Sequence, residues 1–205
     1  MSTVETPTHV LYLHGFRSSP QSAKARQVAA WMQAHRPDVV WSCPQLPPSP
    51  QDALRLLMTL TADWPKNGMA VIGSSLGGFY ATVLAERLGS PAALLNPAVN
   101  PARDLAKHLG EQSNFHNPED RFFFRDEFIA ELQTMTPAAI TRPQRYFAVI
   151  AKGDEVLDWC EMHARYAGAH IRLLEGSDHA LSNFDADLPH LLHFLQLTNE
   201  KPPCV

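Results

Sequence analysis

Six short apolar runs, each followed by a segment of helix length, constrain this chain more than any other feature. They read HVLYL (9–13), VVWSC (39–43), MAVIG (69–73), AALLN (92–96), RYFAVIA (145–151) and HIRLL (170–174). Several are almost continuously apolar rather than alternating, as in strands covered on both faces within a parallel sheet. The segments between them carry helix signals. SPQDALRLLMTLTADWP begins with Ser49 as N-cap and Pro50 at the first helical position. It sets Ala53, Leu56, Leu57, Leu60 and Trp64 on one stripe and stops at Pro65. GGFYATVLAERLG carries Tyr80, Val83, Leu84 and Leu88 at helical spacing and ends on Gly89. A last helix, from about Asp187, buries Leu188, Leu191, Leu192 and Leu195. Strand and helix alternating without hairpin signals predict a doubly wound α/β sheet. With 205 residues, one domain over 1–205 is the natural size; the chain is short for two.

The longest departure from this rhythm spans about 97–142, between the fourth and fifth runs. PARDLAKHLG, NFHNPEDRFFF and RDEFIAELQTM read as short helices joined by Pro- and Asn-rich turns. Such an insertion would sit over the carboxyl ends of the strands, where ligands bind in open α/β sheets. It reads either as a helical cap or as a solvated excursion, and the aromatic run at 122–124 favours the cap.

Chemistry is concentrated in VIGSSLGGFY (71–80). Only one register fits Gly-x-Ser-x-Gly: Gly73, Ser74, Ser75, Leu76, Gly77. A nucleophile elbow places its serine on a strained strand-to-helix turn, with small residues two before and two after because strand and helix pack closely. A tight connection without catalytic purpose is the alternative. The phosphate-binding Gly-x-x-x-x-Gly-Lys-Ser/Thr and Gly-x-Gly-x-x-Gly patterns are both missing.

A serine hydroxyl is nearly inert at neutral pH and needs a base held by a third group. After the fifth run the chain reads AKGDEVLD, where Asp154 stands in a turn opened by Gly153. Asp158 competes for the acid's role but reads as the cap of the next helix, and Glu155 reads as solvated. After the sixth run comes LEGSDHALSNF, with His179 in a loop before the last helix. Of ten histidines, only His14 and His179 escape a helix-end, strand-start or surface reading, and only His179 follows the sixth run. Asp178 reads as a turn former. No cluster has zinc spacing, HLLH (190–193) lacks the HExxH arrangement, and neither metal nor cofactor is called for. The loop YLHGFRSSP after the first run supplies the remaining need, an oxyanion site. Gly15, beside His14, lets the backbone come close, so that the N–H groups of Phe16 and Leu76 become the two donors.

Composition closes off other classes. Net charge is −4 and no basic stripe appears, which gives a nucleic-acid partner no electrostatic support. No apolar stretch reaches the roughly eighteen residues of a membrane span. MSTVETPTH lacks the basic and apolar regions of a signal peptide. Three scattered cysteines, Cys43, Cys160 and Cys204, read as free thiols, and a cytoplasmic location is expected.

Taken together these residues resemble the α/β-hydrolase superfamily, and more narrowly the small bacterial YqiA-type esterases. The matching stretches are LYLHGFRSSPQSAKA (11–25), CPQLPPSP (43–50), GSSLGGFYAT (73–82), LLNPAVNP (94–101), GDEVLD (153–158) and EGSDHAL (175–181). They span almost the whole chain in order; the segment from about 110 to 142 matches least. The resemblance implies a minimal six-stranded, mostly parallel sheet of order 2-1-3-4-5-6. It also implies hydrolysis of carboxylic esters by Ser75, Asp154 and His179 as nucleophile, acid and base. The expected partner is a small-molecule acyl ester. Acyl-CoA thioesters are the alternative, although residues 97–142 hold five Lys/Arg against seven acidic residues, a balance that does not favour a nucleotide. A non-catalytic binding protein of the same fold is the alternative from another class.

Overall fold

A computed structural model describes residues 6–202. Residues 1–5 of the leading segment and Cys204 lie outside the described residues. The six apolar runs become β1 (His9–Leu13), β2 (Val40–Ser42), β3 (Met69–Ser74), β4 (Ala92–Leu95), β7 (Tyr146–Ala151) and β8 (His170–Leu174). They form one sheet in the order β2-β1-β3-β4-β7-β8, and every pairing is parallel. Counting only these strands in chain order, this is the expected 2-1-3-4-5-6.

Side-chain alternation along the strands feeds two separate cores. Leu11, Leu13, Val71, Leu94, Ala148 and Ile150 pack on one face, under α2 (Pro50–Leu60), α3 (Leu76–Leu88) and α6 (Trp159–Arg165). Val10, Tyr12, Ile72, Leu95, Val149 and Ala151 pack on the other, under α1 (Ala23–His35) and α7 (Leu188–Phe194). Central strands therefore meet apolar cover on both sides, which is why their sequences scarcely alternate. Ser49 caps α2 by accepting the Asp52 N–H at 3.2 Å, and Gly89 ends α3 in the left-handed region at φ 84°. The buried stripe of α2 runs through Ala53, Leu54 and Leu57. Leu56, expected on that stripe, is 37% exposed, because only one side of this helix meets the sheet.

The insertion differs from expectation in its middle. PARDLAKHLG forms α4 (Pro101–Leu105) and one further 3-10 turn, and RDEFIAELQTM forms α5 (Asp126–Met135). The aromatic segment between them is not helical. β5 (Gly110–Ser113) and β6 (Arg121–Phe124) make an antiparallel hairpin. Two physical reasons decide this. Exposure along β6 alternates with period two, Phe122 and Phe124 turned inward and Arg121 and Phe123 outward. Asn117-Pro118-Glu119-Asp120 is a β-turn with proline second, closed by the Asp120 N–H on the Asn117 carbonyl at 3.0 Å.

Candidate active site

β3 passes into α3 through a single residue, Ser75, at φ 55° and ψ −121°. That left-handed backbone costs a non-glycine residue on the order of 1–3 kcal/mol and persists only where the surroundings over-determine it. Here they do. The Ser75 N–H donates to the Leu95 carbonyl at 3.0 Å, and its own carbonyl accepts from Gly78 at 2.9 Å and Ala98 at 3.0 Å. The flanking glycines answer to space: a Cβ on Gly73 would stand 2.3 Å from the Gly77 carbonyl oxygen, and one on Gly77 would stand 2.0 Å from that of Leu13. Ser74 stays buried at the end of β3.

The loops after β7 and β8 meet over this serine. His179 Nε2 lies 3.0 Å from Ser75 Oγ, and His179 Nδ1 lies 2.8 Å from Asp154 Oδ2. The carboxylate fixes Nδ1 as donor and leaves Nε2 to accept from the serine hydroxyl. The Asp154 side chain is 0% exposed, and its Oδ1 accepts the N–H groups of Val156 and Leu157, both at 2.8 Å. Asp158 caps α6 by accepting the Cys160 N–H at 2.8 Å, and Asp178 accepts the N–H and hydroxyl of Ser182 as a turn former does. Glu155 is exposed, as its solvated reading expects, and its carboxylate also accepts the His179 N–H at 3.0 Å. Gly153 lets the two loops touch, since a Cβ there would lie 2.2 Å from the Ser177 carbonyl oxygen.

Asn96, which no sequence motif singles out, ties the His179 loop to the sheet. Buried at φ 42°, it donates from Nδ2 to the carbonyls of Asp178 and His179 at 3.0 and 3.3 Å. Its Oδ1 accepts the Ala151 N–H at 2.8 Å, so one side chain joins β4, β7 and the histidine loop. The available signal was an asparagine at a strand end, since this residue type tolerates the left-handed region.

On the opposite side of Ser75, the loop after β1 approaches closely; a Cβ on Gly15 would lie 3.2 Å from Ser75 Cβ. The N–H groups of Phe16 and Leu76 have no acceptor among the described residues. His14, beneath them, accepts the Leu46 N–H on Nε2 at 3.1 Å, while its Nδ1 faces the Gly15 carbonyl at 3.0 Å. This pairing requires a neutral ring, and burial, outweighing the Gly15 carbonyl that favours the charged form and aided by His116, holds the His14 pKa below its ordinary value. The unfolded chain therefore takes up the proton first. Stability from this site is complete above the ordinary pKa of about 6.5 and falls as pH drops below it. The melting temperature of the natural chain should fall between pH 7.5 and 5.5 by more than that of His14→Gln. Parallel pH profiles would contradict this.

A cavity of about 240 Å³ opens onto Ser75 and His179, walled by Phe16, Leu76, Ala98, Leu105, Phe115 and Leu157. The insertion supplies Leu105 and Phe115, along with His108 and the cation Lys107. A second cavity, about 340 Å³, lies beyond Phe16 and Leu76, between the Leu46-Pro47-Pro48 segment, Tyr80 and Phe122. Among the described residues Cys43 and Cys160 are free thiols, and burial pushes Cys43 up to about 12. Among the described residues no group of three or more His, Cys, Asp or Glu is placed to hold a metal, and no helix is long and apolar enough to cross a membrane.

Residues 9–196 match a family model described as "Uncharacterised protein family (UPF0227)". The chain belongs to the UPF0227 family. Every residue of the site just described falls inside the matched span. Solved structures share the fold of this UPF0227 chain. A provisionally assigned hydrolase of Agrobacterium vitis S4 superposes with a TM-score of 0.72 at 15% identity, over 96% of this chain and 91% of that one. Alpha/beta hydrolase domain-containing protein 10 from mouse gives 0.67 at 15% identity, over 96% and 92%. A structure from the work on LipS and LipT, metagenome-derived lipolytic enzymes, gives 0.64 at 17% identity, over 95% and 96%. These matches establish the α/β-hydrolase fold for the UPF0227 chain.

Proposed function

We propose that this protein is a serine esterase, hydrolysing carboxylic esters of small or medium acyl groups through an acyl-enzyme. The observation that carries this is the chain Ser75 Oγ, His179 Nε2, His179 Nδ1, Asp154 Oδ2, with links of 3.0 and 2.8 Å, at the wall of an apolar cavity. As Ser75 Oγ attacks the acyl carbonyl, its proton passes to His179 Nε2, and Asp154 stabilises the imidazolium at Nδ1. The Phe16 and Leu76 N–H groups receive the oxyanion. Collapse of the tetrahedral adduct breaks the bond to the alcohol oxygen, which leaves with the proton from Nε2. Water then attacks the acyl-enzyme, gives its proton to Nε2, and the released Ser75 oxygen takes it back. Residues 97–142 serve as a cap whose α4 and hairpin wall the acyl group. The lipolytic enzymes that share the fold support the same chemistry.

Acyl-CoA thioesters are a second reading, favoured by one observation: Arg17 and Lys107 stand on the Ser75 cavity, while Asp104 on the same wall is paired with Arg103 at 2.8 Å. Turnover of an acyl-CoA and an uncharged ester of equal chain length, at low and high salt, separates the two readings.

The test of the reading is hydrolysis of p-nitrophenyl esters by two single variants. Ser75→Ala should lose more than about 10⁴-fold in kcat. Ser74→Ala should stay within an order of magnitude of the natural chain. Equal losses in both, or turnover by Ser75→Ala, would remove Ser75 from its role.

A further inference from the structure

The proposed oxyanion donor Phe16 sits in a loop with little regular structure of its own, and its successor Arg17 is a non-glycine residue at φ 57°. A left-handed arginine requires outside support. The support comes from the hairpin. Just beyond β5, the Asn114 N–H points across the hairpin and donates to the carbonyl of Asp120, the residue before β6, at 3.0 Å. Neighbouring residues of a strand face opposite edges, so Ser113 and Phe115 turn their polar groups to the edge that β6 leaves unpaired. Arg17 takes that edge. Its carbonyl accepts the Phe115 N–H at 2.8 Å, and its Nε donates to the Ser113 carbonyl at 2.7 Å. The guanidinium lies over the Phe115 ring, 4.5 Å from its centroid. The Phe16 ring stands edge-on to Phe124 at 5.1 Å and to Phe122 at 5.9 Å, so the same hairpin holds the donor's own side chain.

Resting on the esterase reading, we propose that Arg17 is the positioning residue that aims the Phe16 N–H at the oxyanion, and that it does so by binding the unpaired edge of the β5–β6 hairpin. The guanidinium is committed to a backbone carbonyl and an aromatic face, and no carboxylate lies within ion-pair distance of it among the described residues. Its fork and its stacking, rather than its charge, do the positioning. Hairpin docking and assembly of the oxyanion site become one event, which gives the β5–β6 hairpin of the cap a direct route to the chemical step.

The test compares an uncharged p-nitrophenyl ester with its thionoester, whose larger, weakly accepting sulfur makes little use of an oxyanion site. Both are measured on the natural chain and on Arg17→Gln, with folded sites counted by active-site titration. Per titrated site, Arg17→Gln should lower kcat for the oxygen ester roughly tenfold to hundredfold, as misplacement of a donor does, with KM within about twofold. Thionoester turnover should change by less than about threefold, so the preference for oxygen over sulfur collapses. An unchanged preference would overturn the assignment, whether both rates fall together, as a purely structural role requires, or neither falls. No turnover of either ester by the natural chain would instead remove the esterase reading itself, and the assignment with it.

Discussion

Removing the base should cost more than any other single change: His179→Ala is expected to lower kcat for ester hydrolysis by about 10⁴- to 10⁶-fold while the protein stays folded. The ring is 21% exposed and sits on a loop, so its loss opens no core cavity. What disappears is the acceptor 3.0 Å from Ser75 Oγ, to which the proposed mechanism passes the serine proton. Asp154→Asn should come close behind, at about 10⁴-fold, or about 5.4 kcal/mol of barrier. An amide at that place can still accept from Val156 and Leu157 but offers Nδ1 the wrong tautomer. Asp158→Asn is the matched comparison, because asparagine caps helices as well as aspartate does. It should leave kcat within the range of ordinary surface changes. A loss at Asp158 equal to that at Asp154 would contradict the assignment of the acid.

The second large effect is structural and falls on Gly77. A methyl group there would meet backbone, 2.0 Å from the Leu13 oxygen, 2.5 Å from its carbon and 2.7 Å from the His14 oxygen. None of these is the end of a flexible side chain, so α3 must move away from the end of β1. Gly77→Ala is therefore expected to destabilise the fold by about 3 kcal/mol, at the upper end for overpacking. In a chain of this size that lowers Tm by about 6–12 °C. Activity should fall further than stability, since the same shift parts Ser75 from the loop carrying Phe16. Two other glycines calibrate the result. Gly176 has nothing within 4 Å of its hypothetical Cβ and should accept alanine freely. Gly89 also has open space but sits at φ 84°, so alanine there should cost about 1 kcal/mol from backbone strain alone. Thermal melts of the three variants check the order Gly77, Gly89, Gly176.

The parallel sheet was legible because its central strands β1, β3, β4 and β7 are short, apolar and covered on both faces, so local composition and tertiary burial agree there. The serine elbow was legible for a similar reason: its glycine spacing is dictated by backbone contacts between β3, α3 and β1, which leave sequence no alternative. Where local and tertiary cues diverged, reading failed. Phe122 and Phe124 turn together onto Phe16, over a hundred residues earlier, and no local window contains that partner. The Asn-Pro turn at 117–118 was the local hint. Leu56 faces outward because the sheet touches one narrow side of α2, a limit set by packing rather than periodicity. The bonds of Glu155 and Asn96 to the His179 loop were not legible, because each side chain meets a backbone group and side-chain-to-backbone bonds leave no spacing pattern.

The central claim is that Ser75, and not its neighbour, is the nucleophile. Incubation with a fluorophosphonate, followed by proteolysis and mass spectrometry of the peptide containing both serines, tests it directly. The expected result is one adduct per chain, located on Ser75 Oγ, present in Ser74→Ala and absent from Ser75→Ala and His179→Ala. An adduct on Ser74, or undiminished labelling of Ser75→Ala, would contradict it.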